Sequence, residues 1–158
     1  MAAAMGNKQP AGRSLHAGRV TVWRVALDIE PDMVAATRGK AKEVNLTNIV
    51  TRQRDFFAEG TGLEPQSVDY AMLLNILHAE QPLSLLREAW RILTPGGRVG
   101  VIHWNYDPNT PRGPSLAIRP RPADCRRWVE EAGFDVVNDV IDLPPYHYGL
   151  CGRKGVNE

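Results

Sequence analysis

The 158-residue sequence predicts an α/β domain built on a mostly parallel sheet, and three features carry that prediction. Short runs of β-formers alternate with stretches of helical period. One run, 67–77, is almost continuously apolar, as expected of a strand buried on both faces of a parallel sheet. The chain then closes on two further strand-like runs, 134–143 and 146–154, joined by Pro144-Pro145.

Residues 1–19 read as an irregular segment broken by Gly6, Pro10, Gly12 and Gly18, and residues 20–158 as the domain. "VTVWRVALDI" (20–29) is rich in valine and free of breakers, and reads as a strand. Pro31 suits the first position of a helix, where a missing N–H costs nothing; a loosely amphipathic helix follows to about Val44, with Asn45 as its cap. "NIVTRQRDFF" (48–57) is a short strand ending in an acid and two aromatics, and "GTGLEPQ" (60–66) is a loop. "PLSLLREAWRIL" (82–93) sets Leu86, Ala89, Trp90 and Leu93 on one helical face. "TPGG" (94–97) is a turn into the strand "RVGVIHW" (98–104). The Pro-, Arg- and Asn-rich stretch 105–122 is too long for a simple connection and reads as a lid or site loop. "ADCRRWVEEAG" (123–133) is a helix terminated by Gly133.

Composition is that of an ordinary soluble domain, 43% hydrophobic and 23% charged. A formal net charge of +1 gives no general attraction to nucleic acid or to anionic membrane. The longest apolar stretches, such as Ala71–Leu77 with Asn75 inside it, are too short to cross a bilayer. The N-terminus lacks the continuous apolar segment of a secretory signal, while its scattered arginines leave a transit peptide open. Cys125 and Cys151 form no CxxC and have no histidine at metal-ligand spacing, so they read as free thiols of a cytoplasmic protein, with no metal site.

The candidate chemistry lies where apolar runs stop, at Asp28, Asp55 and Asn75. In nucleotide-binding α/β folds an acid at the end of such a strand holds ribose hydroxyls. Asp28, or Glu30 two residues on, suits that bidentate role; either also suits the positive N-terminus of the next helix. Asn75 is an amide inside an apolar run and needs partners or a ligand. His78 follows it as a base, a substrate contact or a structural histidine. Arg119, Arg121, Arg126 and Arg127 form either an anion site at a helix start or a solvated face.

The segments "VALDIEPDMV", "RDFF", "SVDYAMLLNILH" and "LLREAWRILTPGGRVGVIHW", with "GLCGRK" at the end, resemble the class I S-adenosylmethionine-dependent methyltransferases. The similarity is greatest to the small-molecule enzymes of ubiquinone and menaquinone type. The resemblance covers about residues 20–153. It implies a Rossmann-like, doubly wound sheet of order 3-2-1-4-5-7-6 with an antiparallel C-terminal strand, and S-adenosylmethionine at the carboxyl ends of the strands. Asp28 and Ile29 would then meet the ribose, Asp55 the adenine amino group, Phe56 the adenine face, and Asn75 the methionine part. His103 and His147 are the candidate bases, and His78, Trp104, Tyr106, Arg112, Tyr146 and Tyr148 the candidate contacts to a small-molecule acceptor. One element of the family pattern is missing: no strand ending in "DxGxGxG" precedes Val20. The first strand is therefore expected to be missing or replaced, whether by truncation, by residues 1–24, or by a strand borrowed from a second copy. Methyl transfer is expected to be impaired accordingly, and a non-catalytic module acting through protein contacts is the alternative.

Overall fold

The computed structural model describes residues 2–6, as a backbone strand, and residues 22–156. The rest of the N-terminal segment, including the expected strand start at Val20, lies outside the described residues. Along the chain run β1 (Ala2–Gly6), β2 (Trp23–Asp28), α1 (Pro31–Glu43), β3 (Ile49–Gln53), β4 (Val68–Leu74), α2 (Pro82–Ile92), β5 (Leu93–Trp104), α3 (Pro122–Glu131), β6 (Phe134–Val136), β7 (Ile141–Leu143) and β8 (His147–Lys154). One sheet takes all the strands in the order β3-β2-β1-β4-β5-β8-β6, with β7 on the other part of β8. This is the expected Rossmann-like plan, mostly parallel, with β8 antiparallel to β5.

The centre of the sheet departs from a fully parallel arrangement. β1 pairs antiparallel with both β2 and β4, matching Ala4 to Val25 on one side and to Ala71 on the other. Ala2–Gly6 was expected to be irregular and is a strand. Alanine and glycine are poor strand formers, so pairing rather than propensity places them. Without β1, the facing edges of β2 and β4 would leave buried N–H and C=O groups unmatched. The chain closes that gap with its own residues, so the sheet needs no strand borrowed from another copy.

Other boundaries follow local chemistry. Pro31 opens α1, and Asn45 just beyond its end adopts a left-handed conformation (φ 54°). The "TPGG" turn is absorbed into β5 as a bulge: the ladder steps from Val68–Leu93 directly to Tyr70–Arg98, with Gly96 at φ 76°. The expected strand 134–143 is broken into β6 and β7.

The main core lies between the sheet and the helices α2 and α3. Leu27, Leu73, Val99, Val101 and Leu150 of the strands meet Leu85, Leu86, Ala89, Ile92, Cys125 and Val129 of the helices. Two polar anchors fix α2. Glu88 accepts hydrogen bonds from the Thr61 N–H (2.8 Å) and the Thr61 hydroxyl (2.6 Å), and from Arg91, tying down loop 60–63. The Arg91 hydrogen bond holds the Glu88 carboxyl at about 2, well below the usual range. At the helix's end, Lys154 donates to the carbonyls of Trp90 (2.6 Å) and Leu93 (2.8 Å), satisfying groups that a helix C-terminus leaves open.

No helix among the described residues is long and apolar enough to cross a membrane.

Candidate functional site

Because β2, β3, β4 and β5 are mutually parallel, their carboxyl ends line one rim of the sheet. That rim collects Asp28 and Ile29, the 54–58 turn, the 75–81 loop, and Trp104 with the loop beyond it.

Asp28 ends β2, and its Oδ1 accepts the Glu30 N–H (3.1 Å). This turn sets the start of α1, so the helix-start role and the rim position coexist in one side chain. Ile29 is exposed beside it. Asp55 directs Oδ1 to the N–H groups of Phe57 and Ala58, both at 3.1 Å, and so shapes the turn after β3. The two phenylalanines divide their roles in a way that corrects the expectation for Phe56. Phe56 is 5% exposed and joins the core with Leu27 and Leu73, whereas Phe57 is 44% exposed. Phe57, Asp55 and Ala58 line a groove of about 450 Å³ whose other wall is Ala79, Glu80, Gln81 and Ser84 at the entry to α2. The flat apolar group available to a ligand is therefore Phe57.

The "GTG" at 60–62 does not cradle a ligand, although Gly60 and Gly62 both have positive φ. A Cβ at Gly62 would lie 2.9 Å from the Arg54 guanidinium carbon, and one at Gly60 would lie 3.1 Å from Glu88 Oε1. The space beside each glycine is filled by this chain's own side chains.

The two candidate bases face opposite sides of the sheet. His103 pairs with Tyr148 and Trp104 with His147 across β5 and β8, and successive residues of a strand alternate faces. His103 and Tyr148 point to the α2 and α3 side. His103 is fully buried, neither ring nitrogen has a hydrogen-bond partner, and burial lowers its pKa to about 4. His78 meets it edge-on with ring centroids 5.6 Å apart, and its own Nδ1 is also buried without a partner. Tyr148 is 2% exposed and its hydroxyl lies 3.2 Å from Cys125 Sγ and 3.1 Å from the Pro120 carbonyl. These contacts correct the expectation that His103 acts as an accessible base and Tyr148 as an acceptor contact: both belong to the packed side of the sheet.

His147, on the other face, is half-buried and sits 4.1 Å from the Trp104 ring, with Nε2 3.4 Å from Asn75 Nδ2. Asn75 itself has a left-handed backbone (φ 56°), and its Oδ1 is buried without a partner. Burial lowers the His147 pKa, favouring the neutral imidazole. Asn75, His147 and Trp104 thus form a polar-aromatic cluster at the ends of β4 and β5. Tyr106 and Tyr146 are partly exposed beyond it, and Arg112 is exposed.

The loop after Trp104 is organised by Arg119, a residue that sequence reasoning grouped with an anion site or a solvated face. Arg119 is 8% exposed. It donates to the carbonyls of Asn105 (2.9 Å), Asp107 (3.1 Å) and Pro114 (2.7 Å), and to the Thr110 hydroxyl. The other three arginines are engaged as well: Arg121 stacks on Tyr106 at 3.8 Å, Arg126 faces Glu130 and Asp139, and Arg127 faces Asp124. Gly113 closes the loop over the indole, since a Cβ there would lie 2.9 Å from Trp104. Arg119→Met should cost about 2–4 kcal/mol, because three partly buried carbonyls and the Thr110 hydroxyl lose their donor at once. Limited proteolysis should then cut within 105–119; unchanged protease resistance would count against this account of the loop.

No group of three or more His, Cys, Asp or Glu that could hold a metal occurs among the described residues.

A methyltransferase-domain family model matches residues 11–101, more than half of the chain, and the chain belongs to that family. Solved structures agree on the fold. An S-adenosylmethionine-dependent methyltransferase from Aquifex aeolicus matches with a TM-score of 0.70 and 22% identity, over 82% of this chain and 67% of its own. The S-adenosylmethionine-dependent methyltransferase SibL matches with a TM-score of 0.62 and 29% identity, over 83% of this chain and 43% of its own. The [4+2]-cyclase SpnF matches with a TM-score of 0.70 and 16% identity, over 84% of this chain and 66% of its own. One fold therefore carries more than one activity among these neighbours. No curated protein matches the chain.

Proposed function

We propose that this chain is the cofactor-binding core of an S-adenosylmethionine-dependent methyltransferase of a small-molecule acceptor. S-adenosylmethionine is the cofactor to which the family and the neighbouring S-adenosylmethionine-dependent enzymes point. The observation that carries the reading is the strand-end carboxylate of Asp28 on the same rim as the Phe57 groove.

The residues fit the adenosine half of that cofactor. Asp28, 8% exposed at the end of β2, would turn a carboxylate oxygen to the ribose hydroxyls, and the groove offers an aromatic wall in Phe57 for an adenine. When bound, the cofactor supplies a methyl group on a sulfonium, and the protein's part is approach geometry and the acceptor's protonation state. For the acceptor we assign Asn75, His147 and Trp104. With Asn75 Nδ2 donating, His147 Nε2 is its unprotonated nitrogen, and the Trp104 ring restrains the imidazole's orientation. His147 would take a proton from an acceptor hydroxyl or amine at Nε2, with the acceptor displacing the long Asn75 contact (3.4 Å) from that nitrogen. His78, Tyr106, Arg112 and Tyr146 remain candidate contacts on the surrounding loops.

The second reading, a non-catalytic module working through protein contacts, is favoured by one feature. The central strand runs opposite to its neighbours, and its last residue, Gly6, pairs with Trp23 at the end of the sheet away from this rim. Impaired transfer belongs with the same feature.

Thermal-shift titration tests the cofactor reading. Saturation with S-adenosylmethionine or S-adenosylhomocysteine at a hundredfold over Kd should stabilise the chain by about 2.7 kcal/mol. Asp28→Ala should weaken binding by at least about tenfold, the scale of a lost charge-assisted hydrogen bond. The absence of any shift with millimolar ligand would sink the proposal.

A further inference from the structure

The loop after β5 reaches His147 through one side chain. Gly113, at φ 109°, holds a backbone conformation that residues with a Cβ rarely adopt. A Cβ there would lie 2.9 Å from both Cδ1 and Cγ of Trp104 and 3.1 Å from Cδ2, so the loop backbone rests on the pyrrole ring. Arg119 grips the chain on either side of this glycine. Its Nη2 donates to the carbonyls of Arg112 (3.4 Å) and Pro114 (2.7 Å), and its Nε donates to Pro114 as well (3.1 Å). Its Nη1 ties the same guanidinium to the Asn105 carbonyl (2.9 Å), at the end of β5. The Trp104 ring in turn lies 4.1 Å from the imidazole of His147, its cross-strand partner.

Two constraints stiffen this series of contacts. Arg119 restrains the loop from backing away from the indole. The indole gains no relief by turning about its Cβ–Cγ bond, because Cγ lies on that axis and is among the atoms nearest the glycine. A methyl group added at residue 113 is therefore accommodated by displacing the whole indole, and the imidazole loses the ring it lies against.

We propose that Gly113 and Arg119 are positioning residues for His147 and act through Trp104, the loop setting the indole where it covers and orients the imidazole. The inference rests on the assignment of His147 to the acceptor site. Titration of His147 reports on it, because burial is what lowers that pKa. Trp104 of β5, Leu143 of β7 and Asn75 beside the imidazole do not titrate, and His103 is the titratable group coupled to it. An indole displaced from the ring admits water, and the pKa returns toward 6.5.

The test is an NMR titration of the ligand-free chain, with the His147 signal assigned by its loss in His147→Gln. The parent should show a midpoint below 6.5 and an imidazole signal displaced by the ring current of Trp104. Gly113→Ala should raise the midpoint by about 0.5 or more and shrink that displacement. Trp104→Ala should do the same, and adding Gly113→Ala to it should change His147 no further. Arg119→Lys, which keeps the charge but cannot bridge the two carbonyls, should move the midpoint in the same direction and serves if Gly113→Ala does not fold. A lower melting temperature with an unchanged His147 midpoint and signal would assign Gly113 and Arg119 to loop stability alone and overturn the inference. A further rise in the double variant would also overturn it, by showing a route that bypasses Trp104. These readouts need no cofactor, so their failure leaves the cofactor reading, which the thermal-shift titration tests, standing.

Discussion

Ala4→Pro should unfold the protein or come close to it, whereas Ala4→Gly should be tolerated. Ala4 is the middle residue of β1 and faces Val25 on one side and Ala71 on the other. Proline there removes a ladder N–H and thrusts a ring between paired strands, and the resulting loss is about 3 kcal/mol or more. Breaking β1 also releases the inner edges of β2 and β4, each with backbone groups that have no alternative partner. A domain of this kind has only about 5–15 kcal/mol in total, so the effect consumes a large share. Glycine keeps the N–H and should cost no more than about 1 kcal/mol. Urea unfolding of the two variants beside the parent decides the matter. Equal midpoints for Ala4→Pro and Ala4→Gly would mean that residues 2–6 are not the central strand.

That contrast bears on how far the sequence alone reaches. Elements with internal signals were legible in it. Pro31 and Pro82 open their helices, Gly133 ends α3 in a left-handed conformation (φ 96°), and the apolar run containing β4 lies next to the sheet's centre. β1 carries no such signal, because "AAAMG" has neither alternation nor β-formers. Its place is set by the two strand edges it joins, and those are brought together by long-range packing.

The site divides along the same line. Asp28 at a strand end could be read from the order of residue types. The exchange of roles between Phe56 and Phe57 depends on how the turn after β3 twists, which Asp55 sets through two backbone hydrogen bonds. The separation of His103 from His147 depends on the register of β5 against β8, and a one-residue slip of β8 would bring both to the same face. Arg119 looked like its neighbours because a row of arginines among prolines does not say which one turns inward. The signal available in the sequence was the long loop 105–122 itself, whose carbonyls need donors if it packs at all.

His103 should make the protein acid-labile. Its ring is fully buried against His78 and Tyr148; burial first and His78 next disfavour its protonation, the Trp104 backbone acts weakly the other way, and neither nitrogen makes a well-formed hydrogen bond. Burial is the main cause of a folded-state pKa of about 4, against an ordinary 6.5. In the window between those values the unfolded chain binds a proton that the folded chain refuses, so stability falls as pH drops from about 6.5 to about 4. The shift corresponds to a loss of about 3 kcal/mol across that window. His78 and His147 are displaced in the same direction, again chiefly by burial, and add to the loss. Glu88 acts later: its carboxyl, held at about 2, gives up its contribution only as pH falls below the ordinary carboxylate value of 4.5. His103→Leu isolates the first effect, because leucine fills much of the same space and removes two unsatisfied polar atoms from the core. At pH 8 the variant should be at least as stable as the parent. Between pH 6.5 and pH 4 its urea midpoint should decline much less steeply, the difference between the two curves being His103's share. Parallel curves for variant and parent would mean that His103 is protonated in the folded protein as readily as in the unfolded chain, and that its burial against His78 and Tyr148 does not hold in solution.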